Sequence, residues 1–168
     1  YRKAIVGICR ERGIPMASHD DATMEHVEES AGFGMSIAEF PTTLEAAKES
    51  HQRGMMVMMG APNVVRGGSH SGNIAAATLA EEGVLDILSS DYYPASMLDA
   101  AFRLARLETN DYDLTRAIAT VTAVPARCAG LDDRGSIAAG KRADLVLVSE
   151  CKEQPVIESV WRAGNRVY

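Results

Sequence analysis

Short apolar segments alternate with helical ones through the first ninety residues, and this alternation limits the possible fold more than any other feature of the chain. The predicted strands are 14–18, 36–40, 55–59 and 85–90, and the predicted helices are 2–12, 21–30, 42–53 and 73–82. Strands that are apolar almost throughout indicate a parallel sheet covered on both faces, or a barrel. We therefore predict an α/β fold with strand ends near positions 19, 40, 60 and 90, a spacing that suits a (β/α) barrel.

The chain is too short for a complete barrel of this kind. A (β/α)8 barrel takes about 250 residues, whereas this chain has 168 residues and four strand–helix units. Further helices are predicted at 94–106, 112–122 and 125–130. The last part is rich in turn glycines and β-forming runs. We therefore expect residues 1–130 to form half of a barrel and residues 131–168 to supply strands of a small β domain.

Composition excludes several classes of protein. A formal net charge of −6 argues against a general nucleic-acid surface. No apolar run approaches the roughly 18 residues of a membrane-spanning helix. The cysteines Cys9, Cys128 and Cys151 are odd in number and far apart, which favours free thiols in a reducing compartment. We expect a cytoplasmic protein that binds neither nucleic acid nor membrane.

The glycine-rich stretch "GAPNVVRGGSHSGN", residues 60–73, follows the third strand and is predicted as a loop. It is not a P-loop, because Asn73 stands where that motif needs lysine. It is not a nucleophile elbow either, because His70 occupies the serine position. Exposed N–H groups before a helix favour an anion, and Arg66 adds a forked guanidinium. The residues alone are equally compatible with a glycine loop that binds no ligand.

One histidine and one aspartate stand at the ends of strands of the predicted sheet. His19 in "SHDD" ends the first strand, and Asp91 in "SSD" ends the fourth. Because the carboxyl ends of parallel strands meet at one edge, we expect both side chains at one mouth. Imidazole suits zinc or manganese, and an aspartate there can bind the metal and act as general base. Each residue, taken singly, could instead belong to a capping turn.

Glu39 lies near the end of the second strand. It could be a third metal ligand or the partner of a cation on the substrate. An outward-facing glutamate is the alternative. Asp20 or Asp21 could orient the second nitrogen of His19, or could cap the helix that follows.

Several stretches resemble one known family. The segments "ASHDD", "AEFPTT", "MGAPNVVRGGSHSGN" and "LDILSSDYYPASML" are similar to the phosphonate-metabolism hydrolases, the PhnM group, of the amidohydrolase superfamily. "DRGSIAAGKRADLVLV" is typical of the wider superfamily, at the point where the chain leaves its barrel for a small β-sandwich. The resemblance covers nearly the whole chain. It implies the C-terminal half of a (β/α)8 TIM-like amidohydrolase barrel with part of the β-sandwich domain.

The resemblance also implies an activity. That group cleaves α-D-ribose 1-methylphosphonate 5-triphosphate to the 5-phosphate and pyrophosphate, in the carbon–phosphorus lyase pathway. By similarity, His19 is a metal ligand and Asp91 binds the metal and handles the proton, with zinc or manganese as the cofactor. The residues expected to bind the small phosphorylated substrate are Asn63, Arg66, Gly67, Gly68, Ser69 and His70. Superfamily members usually carry a histidine on the next strand, where this chain has "IAEFP", so either Glu39 is the substitute or the site holds fewer metals.

Other interpretations stay open. Another amidohydrolase, such as a cyclic-amide hydrolase or a nucleobase deaminase, would use a similar metal mouth with less need for Arg66 and its glycines. The superfamily's H-x-H pair of the first barrel strand is not in this chain. A third interpretation is therefore an inactive fragment, which associates with itself or pairs with a missing N-terminal half.

Overall fold

A computed structural model describes residues 1–69 and 72–168 and has an α/β architecture. The strands of its larger sheet are β1 (Ala17–His19), β2 (Ile37–Glu39), β3 (Met56–Gly60) and β4 (Ile87–Ser89). All are parallel, and they lie side by side in chain order. The predicted α/β class with a parallel sheet is thereby confirmed, and each strand ends within one residue of the expected position.

Helices precede, connect and follow the strands of this sheet. They are α1 (Arg2–Glu11), α2 (Met24–Gly32), α3 (Leu44–Gln52), α4 (Ala61–Arg66), α5 (Ala76–Glu81), α6 (Ser96–Arg106), α7 (Leu114–Ala119) and α8 (Ala123–Cys128). Side-chain caps begin three of them: Thr23 accepts from the N–H of His26 at 3.3 Å, and Thr43 from that of Ala46 at 3.2 Å. Asp113 does the same at α7. These caps fix where the chain turns back from the sheet. Within the described ranges, every helix falls short of the length and apolarity needed to cross a bilayer.

One face of the parallel sheet is fully buried. Side chains alternate along a strand, and paired residues of parallel strands point to the same side. Ser18, Ala38 and Val57 are paired in this way and are all buried. Val57 belongs to the main core cluster together with Leu79 and Leu104. This face is therefore the one that packs against the helices.

The opposite face is only partly covered. It carries Ile37, Met56 and Met58, each of intermediate exposure, and also His19, whose side chain is 60% exposed. The sequence predicted a sheet covered on both faces or a barrel. Among the described residues, the covering is complete on one face alone, because the helices pack on that side. We call this partly covered surface the inner face.

A second, smaller sheet ends the chain. Its strands are β5 (Leu145–Cys151), β6 (Gln154–Arg162) and β7 (Asn165–Arg166), which pair antiparallel in that order. Arg106 of α6 binds the hairpin formed by β5 and β6. It donates to the Glu150 carboxylate at 2.6 Å and to the carbonyl of Glu153. The chain thus changes from helices to antiparallel strands, and the first of these strands begins at Leu145.

Asp86, at the amino end of β4, is a half-buried carboxylate whose burial raises its pKa. The N–H of Val57 donates to one of its oxygens at 2.9 Å, and His51 Nε2 lies 3.6 Å from the other. These contacts oppose the shift but do not cancel it. The folded protein therefore holds this proton more tightly than the unfolded chain does. The stabilisation is present below the unfolded pKa and is lost as pH rises through the folded pKa.

Replacement of Asp86 by asparagine is expected to remove that pH dependence. The amide oxygen of asparagine still accepts from Val57, so the hydrogen bond survives. Between pH 3.5 and pH 8, the free energy of unfolding of wild type should fall by about 1.4 kcal/mol per unit of the Asp86 pKa shift. The variant should not show this fall. Urea unfolding at both pH values measures this, with the exposed Asp111→Asn as the matched control. An identical pH dependence in Asp86→Asn and wild type would contradict the assignment.

Candidate metal-dependent active site

A cleft opens at the carboxyl ends of the parallel strands. Its volume is about 460 Å³. It brings together six of the residues predicted from sequence: His19, Asn63, Arg66, Gly68, Ser69 and Asp91. We call it the strand-end cleft. Residues that lie far apart in the chain therefore meet where strand–helix connections converge, which is where barrel enzymes carry their active sites.

Three residues beside this cleft have left-handed backbone. Asp20 has φ of 58°, Phe40 of 55° and Asp91 of 47°, and each follows a strand by one or two positions. All three line the strand-end cleft. Such conformations cost about 1–3 kcal/mol each in residues other than glycine and concentrate at functional sites. The surrounding ladder holds them: the N–H of Asp20 donates to the carbonyl of Glu39 at 3.0 Å, and that of Phe40 to the carbonyl of Met58 at 2.9 Å.

Asp91 lies against the last residue of β3. A Cβ added at Gly60 would stand 2.9 Å from Asp91 Oδ2 and 3.2 Å from its Cβ. The φ of Gly60 is −72°, so backbone freedom is not the reason for glycine there. The absence of a side chain at Gly60 leaves the space in which the Asp91 carboxylate sits.

His19 is held on three sides. Its Nδ1 lies 3.0 Å from Glu39 Oε2, and its Nε2 lies 3.4 Å from Asp20 Oδ2. The Phe40 ring meets the imidazole edge-on, with ring centroids 5.6 Å apart. Sheet register brings the first partner into place, because His19 and Glu39 are directly paired across β1 and β2.

Glu39 does not line the strand-end cleft, although the sequence singled it out as a possible third ligand. Its carboxylate contacts the His19 imidazole, and its role as a ligand stays a prediction. The sequence suggested Asp20 or Asp21 for that contact. Asp21 is buried, and the Ser30 hydroxyl donates to its Oδ1 at 3.3 Å, so it belongs to the packing behind β1.

The stretch between β3 and α5 differs from the predicted loop. Residues 61–66 form α4, with Pro62 in its first turn, and only the following residues are irregular. Proline suits a first turn because its fixed φ is helical and the missing N–H would have no partner there. Gly67 ends the helix in the left-handed conformation and does not line the strand-end cleft. The predicted His70 lies outside the described residues.

Two side chains of α4 serve different purposes. Arg66, in the last turn, donates from Nη1 to the Tyr92 hydroxyl at 2.8 Å, across the strand-end cleft. Asn63 Oδ1 accepts from the N–H of Ala76 at 2.9 Å. Ala75 precedes α5 and has no capping side chain, so Asn63 supplies that oxygen from a neighbouring helix. Arg66 thus has the chemistry of anion binding, while the Asn63 carbonyl is engaged in holding α5.

The donor set fits part of a divalent metal site. His19 and Asp91 offer one imidazole and one carboxylate in the same cleft, and both types suit zinc or manganese. Across residues 1–69 and 72–168, no three His, Cys, Asp or Glu side chains stand close enough to hold a metal ion by themselves. Further ligands would therefore have to come from outside the described residues.

Some residues of the cleft were not predicted as site residues. Tyr92 and Phe40 both line it, one against Arg66 and the other against His19. A left-handed phenylalanine directly after a strand leaves no signal in residue order. Tyr92 stands within the quoted "SSDYYPAS", but its contact with Arg66, 26 positions away, depends on the fold.

Comparison with known proteins agrees with this geometry. A model described as "Amidohydrolase family" matches residues 2–167. Alpha-D-ribose 1-methylphosphonate 5-triphosphate diphosphatase of Escherichia coli (strain K12) is 58% identical over 167 residues, which are 99% of this chain and 44% of that protein. The chain thus spans less than half the length of this curated relative.

Solved structures show the same fold. An amidohydrolase from Thermotoga maritima MSB8 superposes with a TM-score of 0.69 at 24% identity, over 93% of this chain and 44% of that one. The ochratoxinase of A. niger gives a TM-score of 0.69 at 16% identity, over 98% of this chain and 44% of that one. At these identities the likeness concerns architecture alone.

Proposed function

This chain belongs to the amidohydrolase family, and from that premise we propose that it is part of a metal-dependent diphosphatase. The proposed reaction converts α-D-ribose 1-methylphosphonate 5-triphosphate to the 5-phosphate and pyrophosphate, a step of phosphonate catabolism by the carbon–phosphorus lyase pathway. Identity of 58% to the Escherichia coli diphosphatase, over nearly the whole chain, supports that substrate. The observation that carries the proposal is one cleft holding Arg66 together with His19 and Asp91.

We propose that residues 1–130 are half of a (β/α)8 barrel. The parallel order of the strands and the partly covered inner face support this, because a closed barrel would bury that face. Residues 131–168 would be strands of a small β-sandwich, and the apolar side chains exposed on β5 and β6 support this. They are Val146, Leu147, Val156 and Ile157.

Arg66 binds the anionic end of the substrate in this proposal. Its guanidinium can donate two parallel hydrogen bonds to phosphate oxygens, which positions the group as well as neutralising it. The hydrogen bond from Arg66 to Tyr92 keeps the guanidinium over the cleft before substrate arrives. Gly68, also at the cleft, presents no side chain, so a bulky phosphate can approach the backbone.

Asp91 takes the proton of the attacking water. It stands in the cleft with its carboxylate against Gly60, so its position relative to the substrate is fixed by the end of β3. His19 and Asp91 would hold the metal with ligands from the rest of the protein. A divalent metal would supply Lewis-acid stabilisation of negative charge on the phosphoryl group.

The proposed partners are a small phosphorylated substrate and a complementary chain segment. The inner face and the outer edge of β1 suit pairing with an N-terminal half or association with a second copy, whereas the N–H of Leu88 on β4 already donates to the carbonyl of Thr120 at 3.1 Å. We also propose a cytoplasmic location with no nucleic-acid or membrane partner. Cys9, Cys128 and Cys151 are free thiols, as a reducing compartment would keep them.

The substrate assignment is tested with the complete protein that carries this chain, loaded with zinc or manganese. We expect pyrophosphate release from the ribose triphosphate and no hydrolysis of a hydantoin or of cytosine. Arg66→Ala should raise the KM for the triphosphate about 10- to 100-fold, since a hydrogen bond to a charged group contributes about 1.5–3 kcal/mol. The exposed Arg12→Ala is the matched control.

One result would contradict the substrate assignment, and another would contradict the role of Arg66. Hydrolysis of the hydantoin or deamination of cytosine, without pyrophosphate release, would show that the substrate is not the ribose triphosphate. An unchanged KM in Arg66→Ala would remove Arg66 from substrate binding while leaving the reaction in place.

A further inference from the structure

The Glu39 carboxylate contacts the imidazole of His19, which lines the strand-end cleft. Glu39 Oε2 lies 3.0 Å from His19 Nδ1, and the Glu39 side chain is 34% exposed against 60% for His19. The two residues are paired across β1 and β2. The backbone of two adjacent strands therefore sets their separation, whereas flexible loops play no part in it.

This contact favours one of the two neutral tautomers of the imidazole. An ionised carboxylate can only accept a hydrogen bond, so the shorter contact, to Glu39, is a hydrogen bond only when the N–H is at Nδ1. In the neutral ring, Nε2 then keeps its lone pair. His19 lines the strand-end cleft, whereas Glu39 does not. The lone pair is thus on Nε2, the ring nitrogen that does not contact Glu39.

A competing partner stands at that second nitrogen. Asp20 Oδ2 lies 3.4 Å from His19 Nε2, a longer separation than the one to Glu39. Asp20 also lines the cleft and has left-handed backbone. Phe40 limits the rotation of the imidazole, since its ring meets it edge-on. The ring is thus held by Glu39 at the end of β2 and by Phe40 directly after it, and Asp20 is left on the cleft side.

We propose that Glu39 is a positioning residue, which holds the Nδ1–H tautomer of His19 and directs Nε2 towards the metal, and that it does not itself bind the metal. This inference rests on the proposed role of His19 as a ligand. Carboxylates that accept from the far nitrogen of a ligating histidine typically change metal affinity 10- to 100-fold when removed. Glu39 would act through His19 in the same way.

The tautomer is measured directly, without metal or substrate. The complete protein is labelled with ¹⁵N-histidine and stripped of metal at pH 8, and ¹⁵N NMR then reports which ring nitrogen is protonated. Loss of the signal in His19→Gln assigns it. We expect the proton at Nδ1 in wild type and in Glu39→Gln, whose amide oxygen still accepts. In Glu39→Leu the proton should move to Nε2, and Glu39→Ala serves as a second truncation if leucine prevents folding.

Metal affinity separates positioning from direct ligation. By titration calorimetry, zinc or manganese should bind Glu39→Leu about 10- to 100-fold more weakly than wild type. Binding to Glu39→Gln should stay within about threefold of wild type, since the hydrogen bond to His19 is kept. Equal losses in the two variants would indicate a direct ligand and overturn the inference.

Asp20→Asn is the matched control for the tautomer, and asparagine tolerates the left-handed backbone at that position. It should leave the proton at Nδ1. A shift in Asp20→Asn with none in Glu39→Leu would assign the positioning role to Asp20 instead. Because the NMR measurement needs no turnover, its result stands apart from whether the complete protein cleaves the triphosphate.

Discussion

Replacing Asp91 with asparagine is expected to lower the rate of pyrophosphate release about 10²- to 10⁴-fold, the usual contribution of a positioned acid or base. Asparagine has nearly the same shape and tolerates the left-handed backbone that Asp91 adopts. The fold should therefore survive, and the loss should appear in kcat. Steady-state kinetics on the complete, metal-loaded protein measure it, and thermal unfolding checks the fold.

A change at Gly60 tests the same role without altering Asp91. The Cβ of Gly60→Ala would come within 2.9 Å of Asp91 Oδ2, so the carboxylate must move. Misplacing a reacting group by about 1 Å can cost about 10²-fold in rate. Gly7→Ala in α1, where an added Cβ meets nothing within 4 Å, is the matched control. Full activity in both Asp91→Asn and Gly60→Ala would end the assignment of Asp91 as the base.

The isolated 168 residues are expected to release essentially no pyrophosphate. Across residues 1–69 and 72–168, no three His, Cys, Asp or Glu side chains stand close enough to hold a metal ion, and a catalytic zinc site takes three protein ligands. The inner face also leaves Ile37, Met56 and Met58 partly exposed. Activity should return when the remaining part of the protein is supplied. Sedimentation should show self-association of the isolated chain, with the inner face covered by another copy.

Two measurements would contradict this prediction. Turnover by the isolated chain at the rate of the complete protein, with stoichiometric metal, would mean that its cleft is sufficient. A stable monomer in sedimentation would mean that the inner face needs no partner.

The order of strands and helices could be predicted because its signals are local. Apolar runs such as "MMVMM" lie between polar helices that begin at capping threonines and end at glycines. Thr43, for example, stands directly before α3 and accepts from the N–H of Ala46. The helix at residues 61–66 was missed because the glycines around it indicate a loop. Pro62 in its first turn was the available signal.

Membership in the amidohydrolase family could also be predicted, from motifs spread over the whole chain, and the family comparison confirms it. That His19 and Asp91 would meet at one mouth followed from the geometry of parallel strands, and they do line one cleft. Their roles stay predictions. The contact of Glu39 with His19 depends on sheet register, and that of Arg66 with Tyr92 on loop geometry. Neither property is encoded in residue spacing.

The left-handed phenylalanine between β2 and α3 has a consequence for protein engineering. Ranked by backbone preference alone, glycine or asparagine would replace Phe40 first, with a gain of about 1–2 kcal/mol. Either change would also delete the aromatic wall beside the imidazole. Selection for heat resistance should therefore favour glycine or asparagine at position 40, whereas selection for turnover should keep phenylalanine.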